Sequence, residues 1–437
     1  MKAMIGRMTF LRKRPARLWS DESGAVLVTL ALAVTALLGL LSVAVEVGSW
    51  YVVRRNLQSA ADAAALAGAL EHARSTPGRV TDAATREAVR NGAAAGTDTI
   101  LVNSPPASGA FSGDPQAVEA IITHRQGRLF TALFGSGEVP ITTRSVARLR
   151  STGEACVLAL DRTTGGAITA QGSATINTQG CVLAANSVSD TAIDLGGSSS
   201  VAADSLWTSG GYALGGSTSA SFSRAPVSRA WALPDPYADL TIPALGNACP
   251  NNNTRIQNET RTLTPGVYCN GISVGAHGVA ILEPGTYYIN RGNFDVGAQG
   301  TVRCNCTAPH GVTIVLTSTS NTTQIGRVDI NGGASVTLRA PADPSYAYPG
   351  VLFFQDRRAS ASDESRLNGG ATMSLNGALY FPAQAMQWNG NSFGGAQGCV
   401  RIIARTVSFS GNTALDDAGC AEQGVRPIAT TSATLGE

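Results

Sequence analysis

Residues 24–45 read GAVLVTLALAVTALLGLLSVAV, twenty-two positions without a charge. At 1.5 Å per residue such a helix is about 33 Å long, the thickness of a bilayer core, so the pattern predicts a transmembrane helix. Over 50–75 the chain has no proline and is dense in alanine, which extends the helix outward across 46–77. Leu57, Ala61, Ala64 and Gly68 follow one another by steps of four, three and four, a ridge of mostly small residues that permits close helix approach. Its partner is either the chain's own downstream region or another anchored subunit. Trp50 and Tyr51 fall where an interfacial aromatic belt belongs, and Arg54 and Arg55 where lipid head groups lie.

From 78 to 150 the pattern predicts a small α+β region: a helix over 81–95, a Pro/Gly loop, a strand over 117–125, a short helix over 128–134 and a strand over 139–148. From 151 to 437 the texture changes, and 36 of the 49 glycines fall here. LTPGVY at Leu263 returns nineteen residues later as LEPGTYY at Leu282, and VGAHGV at Val274 returns twenty-two later as VGAQGT at Val296. Short alternating strands with a period near twenty predict a β-solenoid, with a right-handed parallel β-helix as its expected form and a β-sandwich with Gly-rich hairpins as the alternative. Asn-Gly pairs beginning at Asn270, Asn331, Asn368, Asn376 and Asn389 mark expected corners. A proline-rich stretch over 224–253 breaks the repeat and reads as an excursion. The fold class is therefore mostly β, with an amino-terminal transmembrane α-helix and a small α+β region ahead of the solenoid.

Charge then assigns sides of the membrane. Lys2, Arg7, Arg12, Lys13, Arg14 and Arg17 precede the apolar run against only Asp21 and Glu22, which places 1–23 in the cytoplasm and everything after Glu46 across the membrane. A cleaved secretory signal, with Ser42 and Ala44 near its end, is the competing reading of the same run. The whole chain carries a net charge of only +2, no footprint for nucleic acid. Eight cysteines, Cys156, Cys181, Cys249, Cys269, Cys304, Cys306, Cys399 and Cys420, all follow the membrane segment, the usage of an oxidising compartment. Closeness in sequence suggests Cys156 with Cys181 and Cys399 with Cys420. Without a CxxC pair, and with His72, His124, His277 and His310 scattered, neither metal nor cofactor is expected.

Residues 22–69, ESGAVLVTLALAVTALLGLLSVAVEVGSWYVVRRNLQSAADAAALAGA, resemble the amino-terminal module of TadG-like and TadE-like proteins of bacterial tight-adherence (Flp) pilus systems. The most specific part is the run Tyr51, Arg55, Leu57, Gln58, Ala60, Ala61, Asp62, Ala63, Ala64, Ala65. The resemblance implies a single-pass inner-membrane protein with its bulk in the periplasm, serving pilus assembly or surface attachment beside other pilus-assembly proteins. Thr29 stands five residues after Gly24, where processed pilins of this kind carry Glu, so prepilin cleavage is not expected. Some TadG proteins carry a von Willebrand factor A domain; Asp161, Thr163 and Gly165 lack the third oxygen ligand of its metal motif, so that domain is not expected either.

Acid–base chemistry needs clustered carboxylates, and Asp329, Asp343, Asp356, Asp363 and Glu364 lie on different predicted turns. Asp356, Arg357 and Arg358 form the one triplet that resembles a site, and a surface salt-bridged turn accounts for it. No nucleophile elbow or phosphate loop occurs. The expectation is a non-enzymatic protein whose outward Ser, Thr, Asn and Gln suit cell-envelope glycan or protein, with Tyr346, Tyr348, Trp388 and Phe393 as candidate exposed contacts, although core or rung-stacking roles are the favoured reading of these four. An anchored polysaccharide-cleaving β-helix and a pilin-like fibre subunit are the alternatives.

Overall fold

A single helix, α1 (Ser23–Ala73), contains both the apolar run and the alanine-rich stretch. Its 51 residues make it about 75 Å long. The computed structural model describes residues 23–73, 77–133, 135–246, 248–369, 373–390, 392–393, 399–415 and 419–436. Residues 1–22 of the basic segment 1–23 expected in the cytoplasm, and the side chain of Phe393, lie outside them. The chain forms two units: Met1–Arg150 with Ala433–Glu437, and Ser151–Ser432. The last residues thus return to the first unit, whereas the sequence pattern assigned everything after 150 to one domain. Ala433 packs on the first unit's core, and Gly436 N donates to Val146 O at 2.8 Å.

In the first unit, α2 (Val80–Arg90) and the outer half of α1 cover an antiparallel sheet of β1 (Thr99–Asn103), β2 (Ala117–Gln126) and the first part of β3 (Val139–Ala159). Val118, Ala120 and Ile122 alternate along β2 and face the helices. The sequence pattern missed β1, whose five residues lie partly exposed just before a Pro-Pro loop. Where it predicted a helix over 128–134, only a 3₁₀ turn forms (Thr131–Leu133), and α2 stops at Arg90, not at 95.

The second unit is built from parallel pairs. Leu263 registers with Leu282, nineteen residues on, Ile272 with Phe294 and Val279 with Thr301, twenty-two on, so the sequence repeats superpose as stacked layers. Because its pairings are parallel, hairpins of a sandwich do not build it. Inward residues of successive layers form one continuous core, including Ile314, Leu316, Phe294, Phe353, Leu379 and Ile402. Asn270 does turn a corner with φ of 62°, and Gly271 beside it has φ of 96° with no room for a side chain: an added Cβ would lie 2.7 Å from Asn293 O of the next layer. Asn270 falls between two pairings of its strand, whereas Asn368 and Asn389 sit opposite each other in unbroken register. There Asn389 Nδ2 donates to Asn368 Oδ1 at 2.8 Å and Ser410 Oγ donates to Asn389 Oδ1 at 2.6 Å, a polar ladder running across layers.

The layers do not stack in chain order. Strand Asn251–Ile256 starts the stack, and pairings proceed layer by layer to Val400–Ser410. The next layer is the beginning of the unit: Ile402, Ile403 and Ala404 register with Val157, Leu158 and Ala159. From there the stack continues through Thr175–Ala185 and Ser200–Thr208 to Ser219–Phe222. The unit's two chain crossings therefore meet inside the stack, where Ala155 N donates to Ile428 O at 2.8 Å and Thr152 Oγ1 to Thr430 O at 2.9 Å. Arg401, almost wholly buried, pairs with Glu154 across this seam.

The proline-rich excursion connects the two ends. On one outer flank, Tyr288, Val315, Phe354, Tyr380, Ile403, Leu158, Ala184 and Trp207 are linked by register into a single apolar stripe. The strap runs back along it. Trp231 meets Trp207 edge-on at 5.0 Å, Leu233 exchanges hydrogen bonds with Asn186 at 2.7 and 2.8 Å, Asp235 accepts from Tyr380 OH at 2.6 Å, and Thr241 O accepts from Tyr348 OH at 3.0 Å. Prolines suit this course, since an extended strap makes few backbone bonds that a missing N–H would break.

Four disulfides pair Cys156–Cys181, Cys249–Cys269, Cys304–Cys306 and Cys399–Cys420, with Cα separations of 5.6, 5.7, 5.1 and 4.8 Å. Their sequence separations are 25, 20, 2 and 21. Loop-closure entropy then predicts that replacing Cys156–Cys181, Cys249–Cys269 or Cys399–Cys420 pairwise by alanine costs about 3 kcal/mol each, and replacing Cys304–Cys306 only about 1 kcal/mol. Urea midpoints of the four variants check the ranking, which fails if the short loop proves as costly as the others.

Candidate functional site

The strongest functional signal lies on α1, which divides into two stretches with opposite environments. From Val26 to Val47 its large apolar side chains are exposed; Leu27 is 72% and Leu40 69% accessible. A soluble helix would bury such a face, and this one is apolar enough to cross a membrane once, with mean hydropathy 2.6. From Leu57 outward the same helix is packed. Leu57, Ala61, Ala64 and Gly68 are all buried, joined by Ala60, Ala65 and Ala69. The ridge is filled by the first unit itself, through α2 and β2. Val118 Cγ1 approaches so closely that a Cβ on Gly68 would lie 2.8 Å from it. Gln58 Nε2 ties the ridge to Arg144 O at 3.0 Å, and Thr143 Oγ1 donates to Leu57 O at 3.2 Å.

Of the four residues expected at a membrane interface, Tyr51, Arg54 and Arg55 are exposed. Trp50 is half-buried and packs on the first unit's core with Val53. Sequence reasoning gave no role to Glu46, one residue beyond the apolar run. Its side chain is buried, and its carboxylate accepts from Leu129 N at 2.8 Å, from Thr131 N at 2.5 Å and from Thr131 Oγ1 at 2.9 Å. A lone acid bordering a long apolar run was the one available signal, since charges there are costly unless paired.

The other candidates serve the second unit's architecture. Asp356 accepts from Thr317 Oγ1 at 2.8 Å and pairs with Arg358 at 2.6 Å; although burial alone would raise its pKa, these bonds hold it below the ordinary carboxylate range. Arg357 reaches away from Asp356, donating to the carbonyls of Tyr237 and Leu240 on the strap and lying 5.3 Å over the Tyr380 ring. The triplet is thus divided between an ion pair and a strap clamp. Asp161 Oδ1 accepts from Thr163 N and Thr164 N at 2.9 and 2.8 Å, while Oδ2 faces Arg405, a turn closed by an arginine. Tyr348 and Trp388 take the core role rather than the exposed one, buried under the strap and in the layered core respectively; Tyr346 is half-buried against His310. Among the described residues no group of three or more His, Cys, Asp or Glu is placed to hold a metal ion.

An open cleft of about 320 Å³ lies on the second unit, lined by Asn270, Arg291, Asn293, Thr323, Gln324 and Asp363. Its amides, hydroxyl and single acid–base pair of charges can hydrogen-bond a polar ligand, and they include the Asn-Gly corner read from the sequence.

With this geometry in place, the match to known proteins falls on α1. Residues 24–73 match the family described as "Putative Flp pilus-assembly TadE/G-like". The amino-terminal module is TadE/G-like. The matched stretch runs from the start of the exposed apolar half to the last residue of α1, so the TadE/G-like module comprises the candidate membrane span together with the packed ridge. No curated protein matches the chain. Among solved structures, the competence-associated pilin ComZ from Thermus thermophilus is similar at 11% identity over 80% of this chain and 90% of that one, with a TM-score of 0.24, too low to establish a common fold.

Proposed function

We propose that this is an exported, membrane-anchored protein of the bacterial inner membrane that supports Flp/tight-adherence pilus assembly or surface attachment, without catalysis of its own. The observation that carries the reading is the TadE/G-like module at 24–73, half of it exposed and apolar, half packed into a folded unit. In this reading the amino terminus is cytoplasmic, and the part of the first unit beyond Glu46 and the whole second unit are periplasmic or extracellular, where the four disulfides persist. The second unit is a right-handed parallel β-helix, supported by its layered parallel register, and its polar outer face and cleft bind pilus-assembly proteins or envelope glycan.

Deleting the gene in the bacterium that carries it, and complementing with the full chain or with one lacking 24–45, tests the proposal. Loss of surface filaments and of adherence, restored only by the anchored form, is the expected result. Normal piliation and adherence in the deletion strain would sink it. Release of sugar fragments from envelope polysaccharide by the purified protein would replace it with the enzymatic alternative.

A further inference from the structure

The segment that binds Glu46 carries three large apolar side chains that face solvent. Leu129 is 69%, Phe130 50% and Leu133 85% exposed, within a stretch of five residues. A surface loop of a soluble unit is normally polar, and contiguous exposed apolar groups mark a contact surface. The position of this one is fixed. Its backbone N–H groups at Leu129 and Thr131 and the Thr131 hydroxyl all bind the Glu46 carboxylate, and Arg128 Nε closes the loop's base on Gly137 O at 3.2 Å. Glu46 in turn sits between Val45 and Val47, which are 56% and 49% exposed at the outer end of the apolar run. One residue past position 45 is about 1.5 Å along the helix axis, so the loop lies level with the edge of the hydrocarbon.

We propose that the loop 128–133 is a second membrane contact, inserting Leu129, Phe130 and Leu133 into the head-group and acyl boundary beside α1. The occupant is lipid because the loop that carries the patch is bound to Glu46, between Val45 and Val47 at the end of the exposed apolar stretch of α1. The arrangement also accounts for Glu46: a carboxylate at this depth is costly when left to lipid, and here the loop satisfies it from within the protein. The bilayer then holds the first unit at two points and fixes its tilt, as one helix alone would not. Exposed Arg54 and Arg55, two turns farther along α1, face the phosphate layer.

The inference rests on α1 being a membrane span, and its test separates the two. The full, oxidised chain is reconstituted into phosphatidylcholine/phosphatidylglycerol vesicles with a nitrobenzoxadiazole label at Leu133→Cys, at Leu37→Cys on the apolar run, or at Arg90→Cys on α2. Lipids carrying a doxyl quencher near the head group or deep in the acyl chain report depth. The expected result is several-fold brighter emission at Leu133→Cys than at Arg90→Cys, quenched best by the shallow lipid, with Leu37→Cys quenched best by the deep one. Water-like emission at Leu133→Cys together with deep quenching at Leu37→Cys overturns the loop contact and leaves the span intact. Water-like emission at both positions overturns the span, and the loop contact with it.

Discussion

Replacing Tyr237 by alanine is expected to destabilise the second unit by about 3–5 kcal/mol, the range for truncating a large buried aromatic. Tyr237 is the buried centre of the strap. Its ring meets Tyr380 edge-on at 5.6 Å, and the Arg426 guanidinium lies 5.3 Å over its face. Its hydroxyl accepts from Arg426 N at 3.3 Å, and its carbonyl accepts from Arg357. Truncation leaves a cavity against Tyr380 and removes the ring over which the Arg426 guanidinium lies. Tyr237→Phe keeps the packing and loses one hydrogen bond, for about 1 kcal/mol. Urea denaturation of the full chain in detergent, with amide exchange of Val315, Phe354 and Tyr380 as a local readout, measures both variants. A loss below about 1 kcal/mol for the alanine variant would mean that the strap lies on the stack without stabilising it.

The second large effect is alkaline unfolding. Burial pushes the Tyr237 hydroxyl up to about 12, and raises Tyr268, Tyr287, Tyr288, Tyr348 and Tyr380 as well. For Tyr348 and Tyr380 the nearby carboxylates of Asp356 and Asp235 add to the rise. An unfolded tyrosine ionises near 10, so the stability these groups contribute is whole below about pH 10 and falls as pH rises from there through the folded values. Tyr237 alone loses about 2–3 kcal/mol over that window. Tyrosinate absorbance and circular dichroism followed together should show the buried tyrosines ionising in one cooperative step that coincides with loss of structure. Gradual ionisation near 10 with the fold intact would refute the burial that drives the prediction.

How much of this was legible in the sequence depends on whether the signal was local. The candidate span and the ridge were, because a charge-free run and a small-residue stripe are properties of one helix. The layer spacing was, because LTPGVY and LEPGTYY superpose through Leu263 and Leu282. The order of the layers was not. Parallel layers offer one another similar rows of Val, Ile, Leu and Ala, so nothing in Ile402 names Val157 as its neighbour. The strap looked like an interruption because its partners, from Tyr348 to Trp207, are distant and scattered along the chain. For the same reason Asn368 and Asn389 passed for corners. The Glu46 clamp joins residues more than eighty positions apart, which no periodicity reports.

The meeting of both chain crossings inside the stack also bears on how such proteins diversify. A unit whose ends, near Ala155 and Ile428, lie at hydrogen-bonding distance has the geometry of a domain inserted at one place in a host chain. Its end layers among the described residues, Asn251–Ile256 and Ser219–Phe222, lie in the interior of the sequence, so the stack can gain or lose repeats without altering the amino-terminal helix or the last residues. One amino-terminal helix can thereby be joined to different outer surfaces.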